Sequence, residues 1–111
     1  MSSKIIISQQ NLIHFIEPSE IIFCQSDNCY TSLYTVHDER YVIVKSLSKF
    51  TLELNSAEFI RVHQSYLINK KYIQRINRKK KCIDLFNNHN IPFTITLKTL
   101  IFLISEITIY I

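Results

Sequence analysis

The sequence changes character twice within the stretch Phe59-Ile60-Arg61-Val62-His63-Gln64-Ser65-Tyr66-Leu67-Ile68-Asn69. Its first part alternates, with Ile60 and Val62 on one face and the residues between them on the other, which predicts a half-buried strand. A polar corner follows at residues 63–65, and residues 66–68 are apolar again. Polar side chains at a corner between two apolar anchors can face a partner with little conformational entropy left to lose. The corner is therefore the first candidate for a binding surface.

Four motifs of the chain resemble, in the same order, those of the LytTR DNA-binding domain family of bacterial transcription regulators. They are residues 59–69 with the pattern F-I-R-x-H-x-S-Y-x-x-N, residues 21–31 (IIFCQSDNCYT) beside the family's I-x-Y-I-E-A-x-x-N-Y-T, Ser46-Leu47 beside its S-L helix start, and residues 91–94 (IPFT) beside its I-P-V-S. The resemblance implies an elongated, mostly β module of antiparallel sheets, whose loops enter the grooves of double-stranded DNA.

At 111 residues the chain is long enough for one compact core and too short for two ordinary domains. We expect a single domain, in which residues 1–20 form an N-terminal edge hairpin and residues 21–111 the LytTR-like DNA-binding part. Apolar periodicity predicts one short helix near 46–54 and a C-terminal helix near 96–108.

The turns of this chain must be made without Gly, which is absent from the sequence. Asn, Asp, Ser and Lys are the expected substitutes. Asn69 is predicted to satisfy a turn with its side chain, and Ser46 is a candidate N-cap of the first helix. Asn55 with Glu58 resembles a second capping box before the central strand.

The three cysteines, Cys24, Cys29 and Cys82, are an odd number, and residues 5–7 are far too short an apolar run for a signal peptide. We therefore expect free thiols, a cytoplasmic protein and no membrane span. The four histidines accompany no glycine-rich loop, nucleophile elbow or metal-ligand spacing. The sequence thus predicts no catalysis, no metal ion, no cofactor and no small-molecule substrate.

Positive charge is concentrated in the C-terminal part of the chain. Residues 1–69 hold five basic and seven acidic side chains, whereas residues 70–111 hold eight basic and two acidic ones. Seven of the basic residues lie between Lys70 and Lys81 without one acid, as expected of a surface that contacts phosphates. For residues 78–81 alone, a solvated hairpin turn is an equally good interpretation.

Base recognition requires short polar side chains on loops, with cations nearby for phosphates. The corner, the polar turn before residue 31 and the start of the C-terminal helix supply both. The candidate DNA-contacting residues are Asn28, Tyr30, His63, Gln64, Ser65, Lys70, Lys79, Lys80, Lys81, Thr94, Thr96 and Lys98. By the resemblance, Gln64 occupies the position of a base-reading residue, and glutamine can pair bidentately with adenine.

Several of these residues have a purely structural interpretation as well. His63 can equally be bonded to the backbone of a neighbouring strand. Tyr30 suits a core or rim position as well as a phosphate contact. Arg61, in the middle of a strand, is better explained as an internal ion-pair or packing residue.

The chain departs from the family pattern after Pro92. Where the family commonly has Ser-Arg-Arg, this chain has Thr94-Ile95-Thr96. Antiparallel pairing of the last strands would place the turn at residues 78–81 at the same end as Thr96. We hypothesise that this cationic turn replaces the missing arginine contact by phosphate attraction.

The sequence therefore predicts a regulator that binds double-stranded DNA specifically, with repeated sites as the resemblance implies. The excess of apolar residues near the C-terminus, from Phe102 to Ile111, suggests a homodimer surface. An ordinary core helix explains the same residues. The alternative function is an interaction or regulatory module that has lost operator recognition. An RNA-binding role would require a stacking platform of aromatics, which the evenly spread aromatic residues do not indicate.

Overall fold

The computed structural model describes residues 4–105 of the chain. Within them it contains ten strands and two α-helices. In chain order these are β1 (Ile5–Gln9), β2 (Leu12–Ile16), β3 (Ile21–Asp27), β4 (Tyr30–Thr35), β5 (Arg40–Ile43), α1 (Leu47–Leu54), β6 (Phe59–His63), β7 (Tyr66–Asn69), β8 (Ile73–Asn77), β9 (Cys82–Leu85), β10 (His89–Pro92) and α2 (Leu97–Ile104). Short 3-10 turns occupy Pro18–Glu20, Lys70–Tyr72 and Phe86–Asn88.

The strands form three antiparallel sheets. The central sheet has the order β5-β4-β3-β7-β6, a second sheet the order β10-β9-β8, and β1 pairs with β2 alone. The molecule measures 49 × 31 × 25 Å along its principal axes. The mostly β, elongated arrangement of antiparallel sheets predicted from the sequence is confirmed.

The central sheet is covered on both faces. The β1–β2 hairpin and α1 cover one face through Ile7, Ile16 and Phe50, whereas the three-stranded sheet and α2 cover the other through residues that include Ile83 and Leu100. The pairing of β3 with β4 shifts register between residues 21 and 23. Two successive residues of β3, Ile22 and Phe23, therefore both face the three-stranded sheet and α2. Burial of these apolar faces holds the three sheets and two helices together.

Both predicted helices exist, with one boundary changed. The Oγ atom of Ser46 caps α1 by accepting a hydrogen bond from the Lys49 amide at 3.1 Å. At α2, Thr96 plays the same part, and the helix ends at Ile104, before the predicted end. Residues 106–108 of that prediction lie outside the described residues.

Asn55 does not begin a second helix. It is the left-handed C-cap of α1, with φ of 44°, and its backbone amide bonds the Thr51 carbonyl. Asn tolerates this conformation better than most residues because its short polar side chain can form hydrogen bonds with the local backbone. Left-handed residues make turns elsewhere too, at Gln10, Asn28, Asp38, Lys81, Asn87 and Asn88. Asn, Asp and Lys were expected in turns, whereas glutamine was not, and no serine among residues 4–105 takes this conformation.

Candidate nucleic-acid interface

Four segments lie at one end of the molecule, which we call the loop end: the turns 27–30, 63–65 and 78–81, and the segment 93–98. Three backbone hydrogen bonds join them. The Ser26 amide donates to the Ser65 carbonyl at 2.8 Å, the Thr94 amide to the Val62 carbonyl at 2.9 Å, and the Phe93 amide to the Lys81 carbonyl at 3.1 Å. The loop end therefore brings together all three polar corners predicted from the sequence, and the cationic turn beside them.

The central corner at residues 63–65 joins β6 to β7 through a two-residue hairpin turn, Gln64-Ser65, which follows the last residue of β6. The Ser65 amide donates to Nδ1 of His63 at 2.9 Å, and the imidazole ring meets the Tyr66 ring nearly at a right angle, with centroids 5.4 Å apart. His63 thus bonds backbone within its own turn and not in a neighbouring strand. Gln64 is exposed at the tip, so its side-chain amide is accessible to a partner.

Arg61 supports this corner from the preceding strand. Its Nε donates to the His63 carbonyl at 3.0 Å and one terminal nitrogen to the Gln64 carbonyl at 2.5 Å. The other terminal nitrogen lies 3.5 Å from Oγ of Ser48 in α1. Partial burial lowers the pKa of this guanidinium, although an arginine stays charged at neutral pH. Arg61 is therefore a structural residue. The partners described for it are two carbonyls and a hydroxyl, and not the acid of an internal ion pair.

The turn between β3 and β4 places two candidates beside the central corner. Asn28 occupies the left-handed region, with φ of 57°, and is exposed. Tyr30 keeps 45% of its surface exposed, which excludes a core role for it. The following residue, Thr31, is buried and ties this strand to the start of α1 by donating to the Lys45 carbonyl at 2.7 Å.

The turn at residues 78–81 displays its cations to solvent. Lys79, Lys80 and Lys81 are all exposed, and the turn is fixed by Oδ1 of Asn77, which accepts from the Lys80 amide at 2.9 Å. The acid of the adjacent strand, Asp84, is already engaged, since it accepts hydrogen bonds from Asn90 at 2.6 Å and from Arg75 at 2.7 Å. Both bonds lower the pKa of the Asp84 carboxyl. The positive charge of Lys79 and Lys81 is thus available to a ligand, whereas the charge of Lys80 also helps to lower the pKa of the Asp84 carboxyl.

The segment 93–98 presents one hydroxyl and one cation. Thr94 and Lys98 are exposed. The Thr96 hydroxyl is used locally, because it accepts from the Thr99 amide at 3.1 Å as the cap of α2 and lies 2.8 Å from the Thr99 hydroxyl. Thr96 is thus at the predicted place, with its hydroxyl already bonded.

Lys70 is the one candidate that the structure does not bring to the loop end. It follows β7, and its amide donates to the Glu58 carbonyl at the far end of the β6–β7 hairpin, at 2.8 Å. A four-residue strand at about 3.3 Å per residue separates it from the corner by roughly 13 Å. Sequence proximity to the other lysines concealed this separation.

The two ends of the molecule differ in charge. At the loop end lie Lys49, Arg61, Arg78, Lys79, Lys80, Lys81 and Lys98, with Asp27 as the acid of the first turn. At the opposite end lie Glu17, Glu20, Asp38, Glu39 and Glu58, together with Lys4, Arg40, Lys70 and Lys71. A surface of one sign concentrates a ligand of the opposite sign near it. The loop end is therefore suited to a polyanion.

Three further features concern properties other than DNA binding: the thiols, metal binding and membrane-spanning helices. Cys24, Cys29 and Cys82 are free thiols, as expected, and burial raises the pKa of Cys24. Among residues 4–105 there is no cluster of three or more His, Cys, Asp or Glu side chains suited to a metal ion. In the same part of the chain, no helix is long and apolar enough to cross a membrane.

Sequence reasoning missed how Arg61 and Ser48 act on the corner. The alternating pattern placed Arg61 on the outer face of its strand. Its hydrogen bonds to the carbonyls two and three residues ahead leave no trace in the periodicity of the sequence. Ser48 reaches Arg61 across thirteen positions of sequence, which a single sequence does not reveal.

The chain is similar to known DNA-binding domains and transcription regulators. The family described as "LytTr DNA-binding domain" matches residues 11–101. The transcriptional regulatory protein LytR of Staphylococcus aureus is 33% identical over 66 residues, which is 60% of this chain and 26% of that protein. The heme-containing CO-sensing transcriptional regulator RcoM 1 of Paraburkholderia xenovorans is 28% identical over 82 residues, or 74% of this chain and 30% of that protein.

A solved structure has the same fold. It is the LytTr DNA-binding domain of a Bacillus cereus protein described as a methyl-accepting/DNA response regulator, with a TM-score of 0.77 and 16% sequence identity, covering 96% of this chain and 99% of that one. The chain spans about a quarter to a third of the length of the two curated regulators. On the match over residues 11–101, the chain belongs to the LytTr DNA-binding domain family.

Proposed function

We propose that this chain binds double-stranded DNA sequence-specifically, as the DNA-binding part of a transcription regulator, and that its loop end enters the grooves. Membership of a DNA-binding family supports DNA as the ligand. The observation that carries the proposal is the set of three backbone bonds that joins residues 26 to 65, 94 to 62 and 93 to 81. These bonds hold polar side chains and cations in one fixed array, so little entropy is lost when the array meets DNA.

In this proposal the central corner reads bases. Gln64 is exposed at the tip. Its side-chain amide has a donor and an acceptor, which can pair with the N7 acceptor and the N6 donor that adenine presents in the major groove. His63 and Ser65 form the base of the turn, Asn28 and Tyr30 contact the neighbouring backbone or base, and the segment 93–98 enters the next groove through Thr94 and Lys98. Thr96 serves mainly to start α2.

The cationic turn supplies phosphate contacts in place of the arginine that the family commonly has after Pro92. Its position beside Phe93 supports this role, since the Phe93 amide bonds the Lys81 carbonyl. Lysines on such a turn add affinity that depends on salt and is independent of base sequence.

The second candidate function is an interaction or regulatory module that has lost operator recognition. Two observations favour it: threonine stands at position 96, and the hydroxyl of that threonine is engaged in the α2 cap. The array of cations at the loop end opposes it. Binding that is weak, wholly driven by salt and indifferent to sequence would identify this second function.

Our proposal extends to assembly and location. Repeated DNA sites and a homodimer through the apolar C-terminal segment are part of it, supported by Phe102 and Leu103, which are 76% and 39% exposed. A role in transcription places the protein in the cytoplasm, and the proposal requires no catalysis or cofactor. We also assign residues 1–20 to the same domain, because Ile7 and Ile16 pack in the cluster beneath α1.

The test is a selection from a pool of random duplex DNA, followed by fluorescence anisotropy with the selected and scrambled duplexes. The proposal predicts enrichment of particular sequences and tighter binding to them, by the roughly thousandfold or more typical of specific complexes. Equal affinity for both duplexes at all salt concentrations would contradict it. Gln74→Ala serves as the matched control for Gln64→Ala, since Gln74 is an exposed glutamine on β8, outside the loop end.

A further inference from the structure

We infer that Arg61 is the positioning residue of the base-reading corner, and that it acts through its forked contact with the turn and not by touching DNA. The inference rests on the proposed function, because it explains what aims Gln64. It assigns specificity to a residue that lies in a strand, behind the surface that meets the ligand.

The geometry shows a turn held from both sides. Arg61 donates to the carbonyls of His63 and Gln64, at 3.0 and 2.5 Å, while the Ser65 amide donates to Nδ1 of His63 at 2.9 Å. Two consecutive carbonyls are thus fixed by one planar guanidinium. Because these carbonyls belong to the two peptide bonds that flank Gln64, fixing them sets the direction in which the Cα–Cβ bond of Gln64 leaves the turn.

Only arginine provides this contact. Its guanidinium presents several N–H donors in a rigid plane, whereas the ammonium of lysine is a compact charge on a flexible stem. Charge-assisted hydrogen bonds are also stronger than neutral ones. A lysine at position 61 would preserve the charge at the loop end while losing the simultaneous grip on both carbonyls.

The strand irregularity at this place explains why the turn needs support. Pairing between β6 and β7 shifts register between Arg61 and His63. A bulge leaves backbone groups outside the regular ladder. The guanidinium satisfies the two carbonyls next to this irregularity and, through Ser48 at 3.5 Å, connects the corner to the first turn of α1. The corner is therefore linked to a helix outside its own hairpin by one long contact.

Direct contact between Arg61 and a DNA phosphate is the competing explanation, and salt dependence separates the two. Removing a cation that contacts phosphate lowers the slope of log affinity against log salt by about 0.9, for specific and scrambled DNA alike. Removing a positioning residue lowers affinity for the specific duplex and leaves the slope and the scrambled affinity unchanged.

The experiment compares wild type, Arg61→Lys and Arg61→Gln with the specific and scrambled duplexes across a salt series, below the melting temperature measured for each. We expect both variants to lose about tenfold to hundredfold of the specific-to-scrambled affinity ratio, from the loss of a charge-assisted contact. We also expect the wild-type slope in both. Lys79→Gln provides the contrast, with a lower slope and little change in the ratio, because a lysine of the cationic turn contacts phosphate and not bases.

Two results would overturn the inference. One is a wild-type ratio in Arg61→Lys, which would show that the charge alone suffices. The other is a slope lowered by about one in Arg61→Gln with an unchanged ratio, which would assign Arg61 to phosphate contact. Failure of the proposed function looks different, since wild type itself would then show no preference for any duplex. Arg61→Lys retains the aliphatic stem and the charge, so it provides the decisive arm if Arg61→Gln does not fold.

Discussion

Neutralising the cationic turn should lower the salt dependence of DNA binding by an amount that follows from the number of lysines replaced. Lys79 and Lys80 are exposed on a turn joined to the 93–98 segment. If each contacts one phosphate, Lys79→Gln with Lys80→Gln lowers the slope of log affinity against log salt by about 1.8, which is 0.9 for each cation. Between 50 and 200 mM salt, the double variant then loses about tenfold less affinity than wild type.

The matched control removes the same charge from the other end of the molecule. Lys70→Gln with Lys71→Gln changes net charge equally, but the β7 strand separates these lysines from the corner by roughly 13 Å, more than the screening length of about 8 Å at physiological salt. We expect a slope close to that of wild type. Fluorescence anisotropy with a scrambled duplex measures both variants. Equal slopes for the two double variants would refute the reasoning that the loop end carries the phosphate contacts.

Substitutions at three positions test how the turns and the second helix are held. Asn69 is buried, donating to the Ile21 carbonyl at 3.0 Å and accepting from the Lys71 amide at 3.1 Å; Asn69→Ala should lower the free energy of unfolding by about 2–3 kcal/mol in urea titrations, and a loss below about 0.5 kcal/mol would contradict this. Thr96→Ala should cost about 1 kcal/mol by removing the α2 cap, whereas Thr96→Ser should restore it; equal thermal stability of the two would exclude the cap. Asn28→Gly should retain stability at its left-handed position while Asn28→Val loses about 1–2 kcal/mol, and similar melting curves for both would count against that backbone assignment.

The strands around the corner were predictable because their signal is local. Ile60 and Val62 alternate with half-buried neighbours as the period of two requires, and Ser46 caps α1 as its residue type suggests. The sequence also predicted that the 78–81 turn lies at the same end of the molecule as the start of α2, because antiparallel strand pairing alone requires it. These features depend on residues close together in the sequence.

Long-range contacts explain what the sequence could not show. The division of the strands into three sheets depends on which faces bury against each other, and Lys70 lies at the opposite end because β7 intervenes. Arg61 resembles a packing residue in the pattern, whereas its forked contact with the corner depends on the register shift between β6 and β7. Asn55 ends α1, whereas its spacing to Glu58 had suggested the start of a second helix.

The most direct test of base reading from the corner is the specific-to-scrambled affinity ratio of Gln64→Ala, with Gln74→Ala alongside. A bidentate glutamine contributes about 1–3 kcal/mol of discrimination at its base pair, so we predict a ratio lowered by about tenfold or more in Gln64→Ala and preference relaxed at one position of the selected sequence. Gln74→Ala should match wild type. An unchanged ratio and an unchanged selected sequence in Gln64→Ala would contradict the account.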